Sequence, residues 1–477
     1  MMDVKVSAAS QWHNKNVLVL GAARQGLALA RYLSKMGACV TLNDRRSAEA
    51  LEDVRRSFEA LADGAEVRWV LGDHPLELLQ GVDLVCLSGG VPLTLPIVTE
   101  ALARGIPLSN DSQIFMENAP CPVIGITGSA GKTTTTSLVG ELLKPLAGKG
   151  MPGSPRRVWV GGNIGLPLID HLHEIQSGDL VVLELSSFQL EQMTRMPQVG
   201  AVLNVTPNHL DRHGTLEAYT AAKARLLAYQ NQDDTAVLGM DDPGSRALEN
   251  HVRGRLVTFS MGQPPESGAG TYVEDGRLWL RDGQRSEDLM AVDEVPLRGR
   301  HNLLNVLAAC ALVHAAGLTL THAAGIVARF RGVPHRLEWV RSWQGSNWYN
   351  DSIATAPERT LAAIESFEEP LVVLLGGRDK DLPWEALAAR IRERVDHVVA
   401  FGEAAGIIFD AIGSRSQGQR PYSLVRCQGL GEAVEAAAEA ASEGDVVLLS
   451  PGGTSFDEFM DFEERGLRYK EWVHQLT

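Results

Sequence analysis

A chain of 477 residues is too long for one ordinary core, since domains commonly hold ~100–200 residues, and suggests about three. Hydrophobic residues make up 44% and charged residues 22%, which excludes a largely disordered or membrane-embedded chain. The formal charge of −15, from 44 basic against 59 acidic residues, gives no electrostatic footprint for a nucleic-acid partner, so any anionic ligand must be caught locally.

Met1 to Asn16 is polar and lacks the basic-then-apolar build of a signal peptide, and no apolar run reaches ~18 residues. A cytoplasmic protein with no membrane partner is expected. Cys39, Cys86, Cys121, Cys310 and Cys427 are scattered, odd in number and never in a C-x-x-C pair. They predict neither disulfides nor a zinc site and read as small buried hydrophobes.

In chain order, Val17-Leu18-Val19-Leu20-Gly21 predicts a strand, and the helical periodicity from Gly26 to Leu33 completes a strand–turn–helix unit. Cys39 to Leu42, ending at Asp44, and Val82 to Leu87, before Ser88-Gly89-Gly90, predict further strands. Strands alternating with helices imply a parallel sheet. After the punctuation of Pro120 and Pro122 the pattern restarts at Val123-Ile124-Gly125-Ile126 and continues through strands near Leu180–Leu183 and Ala201–Val205. Lys144 to Arg157 reads as a mobile surface loop, and Thr271 to Leu280, broken at Glu274-Asp275-Gly276, as a hairpin. A third start follows Gly332-Val333-Pro334, with strands near Trp348–Asn350, Leu371–Leu375, His397–Phe401 and Val446–Leu449. The expected fold is α/β with three domains, 1–111, 112–332 and 333–477, each on a mainly parallel sheet.

The strongest chemical signal is Gly125-Ile126-Thr127-Gly128-Ser129-Ala130-Gly131-Lys132-Thr133-Thr134, a Gly-rich loop between strand and helix. Small residues let backbone amides wrap phosphates, and the helix N-terminus adds positive partial charge. Lys132 can reach a transferring phosphoryl group, and Thr133 can ligate Mg²⁺. The usual P-loop has glycine where this chain has Ile126.

The loop resembles the shortened phosphate loop of the Mur ligases and folylpolyglutamate synthases. The resemblance extends over essentially the whole chain, through Gly161-Gly162-Asn163-Ile164-Gly165, Leu183-Glu184-Leu185-Ser186-Ser187-Phe188-Gln189 and Asn204-Val205-Thr206-Pro207-Asn208-His209-Leu210-Asp211. Order and spacing are similar to the glutamate-adding branch of the Mur ligase family. That resemblance implies an ATP-dependent ligase joining D-glutamate to UDP-N-acetylmuramoyl-L-alanine through an acyl phosphate. It also implies ATP as cosubstrate, two Mg²⁺ ions, and a monomer acting on small molecules. The domains would be Rossmann-like for the UDP precursor, P-loop ATPase-like for ATP, and Rossmann-like for the amino acid.

Glu184 closes an apolar strand, so its carboxylate should emerge at the carboxyl edge of a parallel sheet, where such folds bind ligands, and a hard cation wants such oxygens. Alone it could also be a solvated strand-end acid, the lesser reading. His209 alone is an ordinary loop histidine, and Lys223, among good helix formers, a surface lysine. The resemblance makes His209 a metal or substrate contact and Lys223 a carbamylated support for the second Mg²⁺. It places Gly128 to Thr134, Asn302, Arg336 and Asp351 on ATP, with Asp351 at the ribose. Asp44, Arg45, Asn163 and Ser186 fall to the UDP precursor, and Arg46 reads at least as readily as a solvated charge. Lys380, Thr355, Ser455 and Phe462 fall to glutamate, an ammonium fixing carboxylates that hydroxyls orient. One departure stands out: the family's Asp-Ser-Lys-Ala-Thr reads Asp351-Ser352-Ile353-Ala354-Thr355 here, so a cationic contact is missing.

Three alternatives compete. The chain could be another Mur or folate ligase. A dehydrogenase could use Gly21-Ala22-Ala23-Arg24-Gln25-Gly26, a weak dinucleotide fingerprint whose middle glycine is Ala23. A catalytically degenerate nucleotide-binding regulator would account for Ile353.

Overall fold

The computed structural model describes residues 11–61, 64–150, 153–163, 165–208, 210–262, 264, 268–380, 382–414 and 418–477. They fall into two compact units, Met1–Val295 with His301–Ala328, and Pro296–Arg300 with Arg329–Thr477. Among them no helix is long and apolar enough to cross a membrane.

The first unit carries two sheets. Strands β1 (Asn16–Leu20), β2 (Cys39–Asp44), β3 (Val67–Leu71), β4 (Leu84–Leu87) and β5 (Leu108–Ser109) lie in the order β3-β2-β1-β4-β5, all parallel. Helix α1 (Arg24–Lys35) makes the crossover from β1 to β2. The order reverses at β1, and ligand crevices of open α/β sheets form at the carboxyl ends of strands beside such a switch.

The second sheet comprises β6 (Val123–Thr127), β7 (Val158–Gly162), β8 (Leu180–Glu184), β9 (Val199–Val202), β10 (Thr235–Gly239), β11 (Arg255–Ser260), β12 (Ala269–Glu274), β13 (Arg277–Asp282) and β14 (Arg285–Ala291). Their order is β14-β13-β12-β11-β10-β9-β6-β8-β7, parallel except at the β12–β13–β14 edge, where the expected hairpin lies. β6 and β8 are buried at every residue, which explains why they read as continuous apolar runs rather than alternating ones. Helices α2 (Asp111–Asn118), α3 (Lys132–Leu143), α4 (Ser187–Leu190), α5 (Leu216–Ala228) and α6 (Arg300–Ala315) follow in the chain.

The second unit holds β15 (Glu338–Trp343), β16 (Ser346–Asn350), β17 (Leu371–Gly376), β18 (His397–Phe401), β19 (Ser423–Cys427) and β20 (Val446–Gly452) in the order β15-β16-β20-β17-β18-β19, parallel apart from β15–β16. Helices α7 (Pro357–Ile364) and α8 (Phe462–Gln475) frame its loops. β17 and β20 lie side by side at the centre, so the loops after both emerge at one sheet edge.

One expectation needs correction. Cys39 is exposed at the start of β2, whereas the other four cysteines are buried as expected. The stretch after Lys144 opens with a 3₁₀ turn, Lys144–Leu146, and near its far end Arg156 forks onto the buried carboxylate of Asp179 at 2.7 and 2.8 Å.

Candidate active site

Gly131 occupies the left-handed region at φ 83°, and a Cβ there would lie 2.2 Å from Asn305 Oδ1. Conformation and crowding both demand glycine. As N-cap of α3 it has no side chain to offer the first-turn amides, which leaves a helix terminus suited to an anion. Lys132 Nζ folds back to donate to Gly128 O at 2.8 Å.

Ser129 and Ala130, expected on ATP, also hold the loop itself. The Ser129 amide donates to Asn204 O at 3.0 Å, and its hydroxyl donates to Thr206 O at 2.9 Å. Asn204 clamps Ala130 from both sides, accepting its amide at 2.8 Å and donating to its carbonyl at 3.2 Å. Asn305 does similar work, accepting from Thr135 Oγ1 at 3.4 Å and donating to Asn302 Oδ1 at 3.1 Å. Asn204 lies in a segment that the sequence singles out, and Asn305 three residues after Asn302.

Glu184 is 1% exposed, so the reading of a solvated strand-end acid falls. Parallel pairing of β6 with β8 brings the loop and this carboxylate together. Thr133 Oγ1 donates to Glu184 Oε2 at 3.1 Å, and Asn163 Nδ2 donates to Oε1 at 3.3 Å. Asn163, expected on the UDP precursor, therefore reaches the acid. Its carbonyl accepts from Arg24 at 3.1 Å, while Gln25 donates to Gly162 O, so the start of α1 is tied to the turn beside the acid. Hydroxyl and carboxylate form an all-oxygen pair that fits Mg²⁺. Among the described residues no group of three His, Cys, Asp or Glu could complete a metal site. His209 lies outside the described residues.

Lys223 is 1% exposed, not the surface lysine its helix suggests. Its Nζ sits 3.4 Å from Thr127 Oγ1 and 4.6 Å over the Tyr219 ring, whose hydroxyl donates to Ser129 at 3.0 Å. Burial, with help from nearby Lys132, holds its pKa well below the usual lysine value. A neutral amine there is a nucleophile.

At the first sheet, Asp44 is buried and fully engaged. It accepts from the Ala22 amide at 2.8 Å, the Arg46 amide at 2.9 Å and the Arg46 guanidinium at 2.9 and 3.0 Å. Burial alone raises its pKa, but Arg46 and the two amides prevail and bring it to about 2. Arg46 is thus a structural partner, while Arg45 stays exposed. Gly26 is required here because a Cβ would lie 1.9 Å from Gly21 O. Ser186 caps α4 in a reciprocal capping box with Gln189. A cavity of about 120 Å³ lies beside α4, lined by Ser88, Gly89, Phe188, Gln189, Arg212 and His213 among others.

In the second unit Asp351 is buried, and desolvation pushes its pKa up to about 7 against the lowering effect of Ser450 and the Leu337 amide. It accepts from Leu337 N at 3.2 Å and Ser450 Oγ at 2.9 Å, fixing the turn that carries Arg336. His335 and Leu337 in that turn hold positive φ, 64° and 44°. Lys380 Nζ lies 3.5 Å from Thr355 Oγ1. Ser455 is buried, and mutual backbone bonds of 2.8 Å between Arg378 and Thr454 join the two loops at the sheet edge. Phe462 O accepts from Ser352 Oγ at 2.8 Å. Arg465, which no motif marked, is fully buried. It donates to Ser352 Oγ at 3.0 Å, Ser352 O at 2.8 Å and Gly453 O at 3.1 Å.

Comparison with known proteins adds to this geometry. Residues 15–110 match the family described as Mur ligase MurD-like, N-terminal domain. Residues 126–313 match the Mur ligase middle domain, and 335–453 the Mur ligase, glutamate ligase domain. The chain is 41% identical over 459 residues to the UDP-N-acetylmuramoylalanine–D-glutamate ligase of Symbiobacterium thermophilum, covering 96% of this chain and 98% of the relative. It is 41% identical over 463 residues to the enzyme of the same name from Pelotomaculum thermopropionicum, covering 97% and 98%. Two solved structures share the fold. UDP-N-acetylmuramate-alanine ligase MurC of Thermotoga maritima has a TM-score of 0.57 at 20% identity, over 97% of this chain and 100% of that one. MurF ligase of the same organism, solved in complex with ADP, has a TM-score of 0.53 at 20% identity, over 100% of both.

Proposed function

The chain belongs to the Mur ligase family, and from that membership we propose that it is the ATP-dependent ligase that adds D-glutamate to UDP-N-acetylmuramoyl-L-alanine in peptidoglycan precursor synthesis. The near full-length relatives of that name support the reaction. The buried Thr133–Glu184 pair beside Lys132 is the observation that carries the chemistry. The dehydrogenase alternative has no relative to stand on among these.

The terminal carboxylate of the precursor attacks the γ-phosphorus of ATP, the bond to ADP breaks, and an acyl phosphate forms. The glutamate amine then attacks the acyl carbon, loses a proton, and phosphate leaves with both bonding electrons. The loop from Gly128 to Thr134 holds and orients the phosphates, with Lys132 meeting charge on the transferring group. Asn302, Arg336 and Asp351 take the remainder of ATP. Asp44 and Arg45 serve the uridine end of the precursor, and Asn163 and Ser186 its far end. Thr355, Lys380, Ser455 and Phe462 receive glutamate. Thr133, Glu184, His209 and Lys223 as its carbamate would hold two Mg²⁺. When bound, these ions screen the negative charge that gathers around the transferred phosphoryl group.

We assign precursor binding to residues 1–111, ATP binding to 112–332 and amino-acid binding to 333–477. The enzyme acts in the cytoplasm as a monomer on small molecules alone. Purified protein with UDP-N-acetylmuramoyl-L-alanine, ATP and Mg²⁺ should release ADP on addition of D-glutamate, with little turnover of L-glutamate. Lys132→Ala should lower that rate by at least ~10²-fold, the scale of removing one positioned charge stabiliser. Turnover without regard to the amino acid, or a reversed stereochemical preference, would overturn the reading.

A further inference from the structure

The lysine of the family's motif at residue 353 is absent here, and another cation meets the backbone of Ile353. Arg359 Nη1 donates to Ile353 O at 3.3 Å. It sits in the first turn of α7, directly after Pro357-Glu358. A positive charge in the first turn opposes the helix dipole, so the position is an unusual one for an arginine that only solvates a surface. It is exposed, and among the described residues no carboxylate lies within ion-pair distance.

The carbonyl that holds it is itself fixed. Ile353 N donates to His335 O at 3.1 Å, and Gly452 N donates to Ala354 O at 2.9 Å. Arg465 grips Ser352 through both oxygens. A guanidinium has five donors, and this one spends a single donor on Ile353, leaving the rest of its fork for a ligand. Two residues before the helix stands Thr355, whose hydroxyl meets Lys380. After burial, the charges of Arg359 and Arg465 are what hold the pKa of Lys380 down, so these cations share one field. Asp351 feels the charge of Arg359, and Asp457 and Glu458 that of Arg465, but none of them ion-pairs with Arg359 or Lys380, whose side chains stay open to a dicarboxylate.

We propose that Arg359 replaces the cation missing at Ile353 and binds one carboxylate of the incoming glutamate, while Lys380 with Thr355 binds the other. The assignment rests on the ligase reading above and deepens it at the amino-acid site. The guanidinium reaches in from α7, six residues later in the chain than the position where the family's motif has lysine.

Initial rates of ADP release, with D-glutamate and ATP varied in turn, test this in wild type, Arg359→Gln, Arg359→Lys and the double variant Ile353→Lys with Arg359→Gln. Glutamine keeps a donor for Ile353 O and removes the charge. It should raise KM for D-glutamate ~10-fold or more, the usual cost of losing a charged hydrogen bond, and leave KM for ATP within about twofold. Arg359→Lys should retain most of the affinity, and lysine at 353 should restore much of what glutamine loses. The proposal is overturned if Arg359→Gln leaves KM for D-glutamate unchanged, if KM for ATP rises equally alongside a lowered melting temperature, or if the double variant recovers nothing. Wild type inactive with D-glutamate removes the ligase reading instead, a separate result seen before any variant is compared.

Discussion

Thr133 Oγ1 lies 3.1 Å from Glu184 Oε2, with both residues buried where the first turn of α3 meets the end of β8. Strand pairing creates this meeting, because residues far apart in sequence become neighbours once β6 and β8 lie side by side. A carboxylate in such a place is costly unless paired. The donors from Thr133 and Asn163 each serve one oxygen and leave lone pairs for a cation.

Glu184→Gln keeps the size and part of the hydrogen bonding but removes the charge. Turnover should fall at least ~10²-fold, and the Mg²⁺ needed for half-maximal rate should rise. A rate titration against Mg²⁺ checks both. Unchanged Mg²⁺ dependence with normal turnover would take Glu184 out of the metal site.

Glu184 was legible because an apolar run ending in an acid has few other meanings in a parallel sheet. Other parts were not. Lys223 looked like a surface lysine because α5 is alanine-rich, so its sequence does not mark which side is buried. Asn204 and Arg465 act on backbone groups of loops distant in sequence, and Asn305 on the hydroxyl of Thr135 in α3, and no local spacing announces such contacts. Edge strands β3 and β19 escaped notice because they are only partly buried and carry Arg68 and Arg426. β10, buried throughout, is a short apolar run, Thr235-Ala236-Val237-Leu238-Gly239, whose sequence alone does not separate a buried strand from a helix segment.

Asp44 should make stability pH-dependent. Its folded pKa, about 2, lies below the unfolded 3.8, so the ionised form stabilises the fold above roughly pH 4, and that contribution is lost as pH falls toward 2. Asp44→Asn should lower stability near pH 7 by about 1 kcal/mol, allowing for solvent screening of the half-exposed Arg46. Chemical denaturation at pH 7 and at pH 3 should show the gap narrowing. An equal gap at both would mean that shape, not charge, is what Asp44 supplies.

Lys380→Ala should raise KM for D-glutamate ~10- to 100-fold, since a carboxylate loses a charge-assisted partner, with little change in KM for ATP. Full steady-state kinetics on all three substrates separate this from general damage. Equal losses on every substrate would assign Lys380 to the architecture of the β17 loop rather than to the amino acid.

Lys223 is the position where chemistry and burial meet most directly. A lysine 1% exposed, with a threonine hydroxyl and a tyrosine face for neighbours, has no described carboxylate to pair its charge. Burial holds its pKa well below the usual lysine value, which favours the neutral amine that a carbamate requires, and the carbamate proposed above would turn this cation into an anion suited to Mg²⁺. Enzyme equilibrated with ¹³C-bicarbonate should show one carbamate carbon signal that disappears in Lys223→Met and fades on acidification, because protonation removes the nucleophile. Lys223→Arg should lose at least ~10²-fold in turnover, since arginine stays cationic and forms no such carbamate. Arginine is also larger, so overpacking should cost it ~1–3 kcal/mol of stability, and melting must be followed alongside activity. Lys223→Met, close in volume and free of charge, controls for packing. If the methionine variant melts near wild type and turns over normally, Lys223 has no part in the reaction.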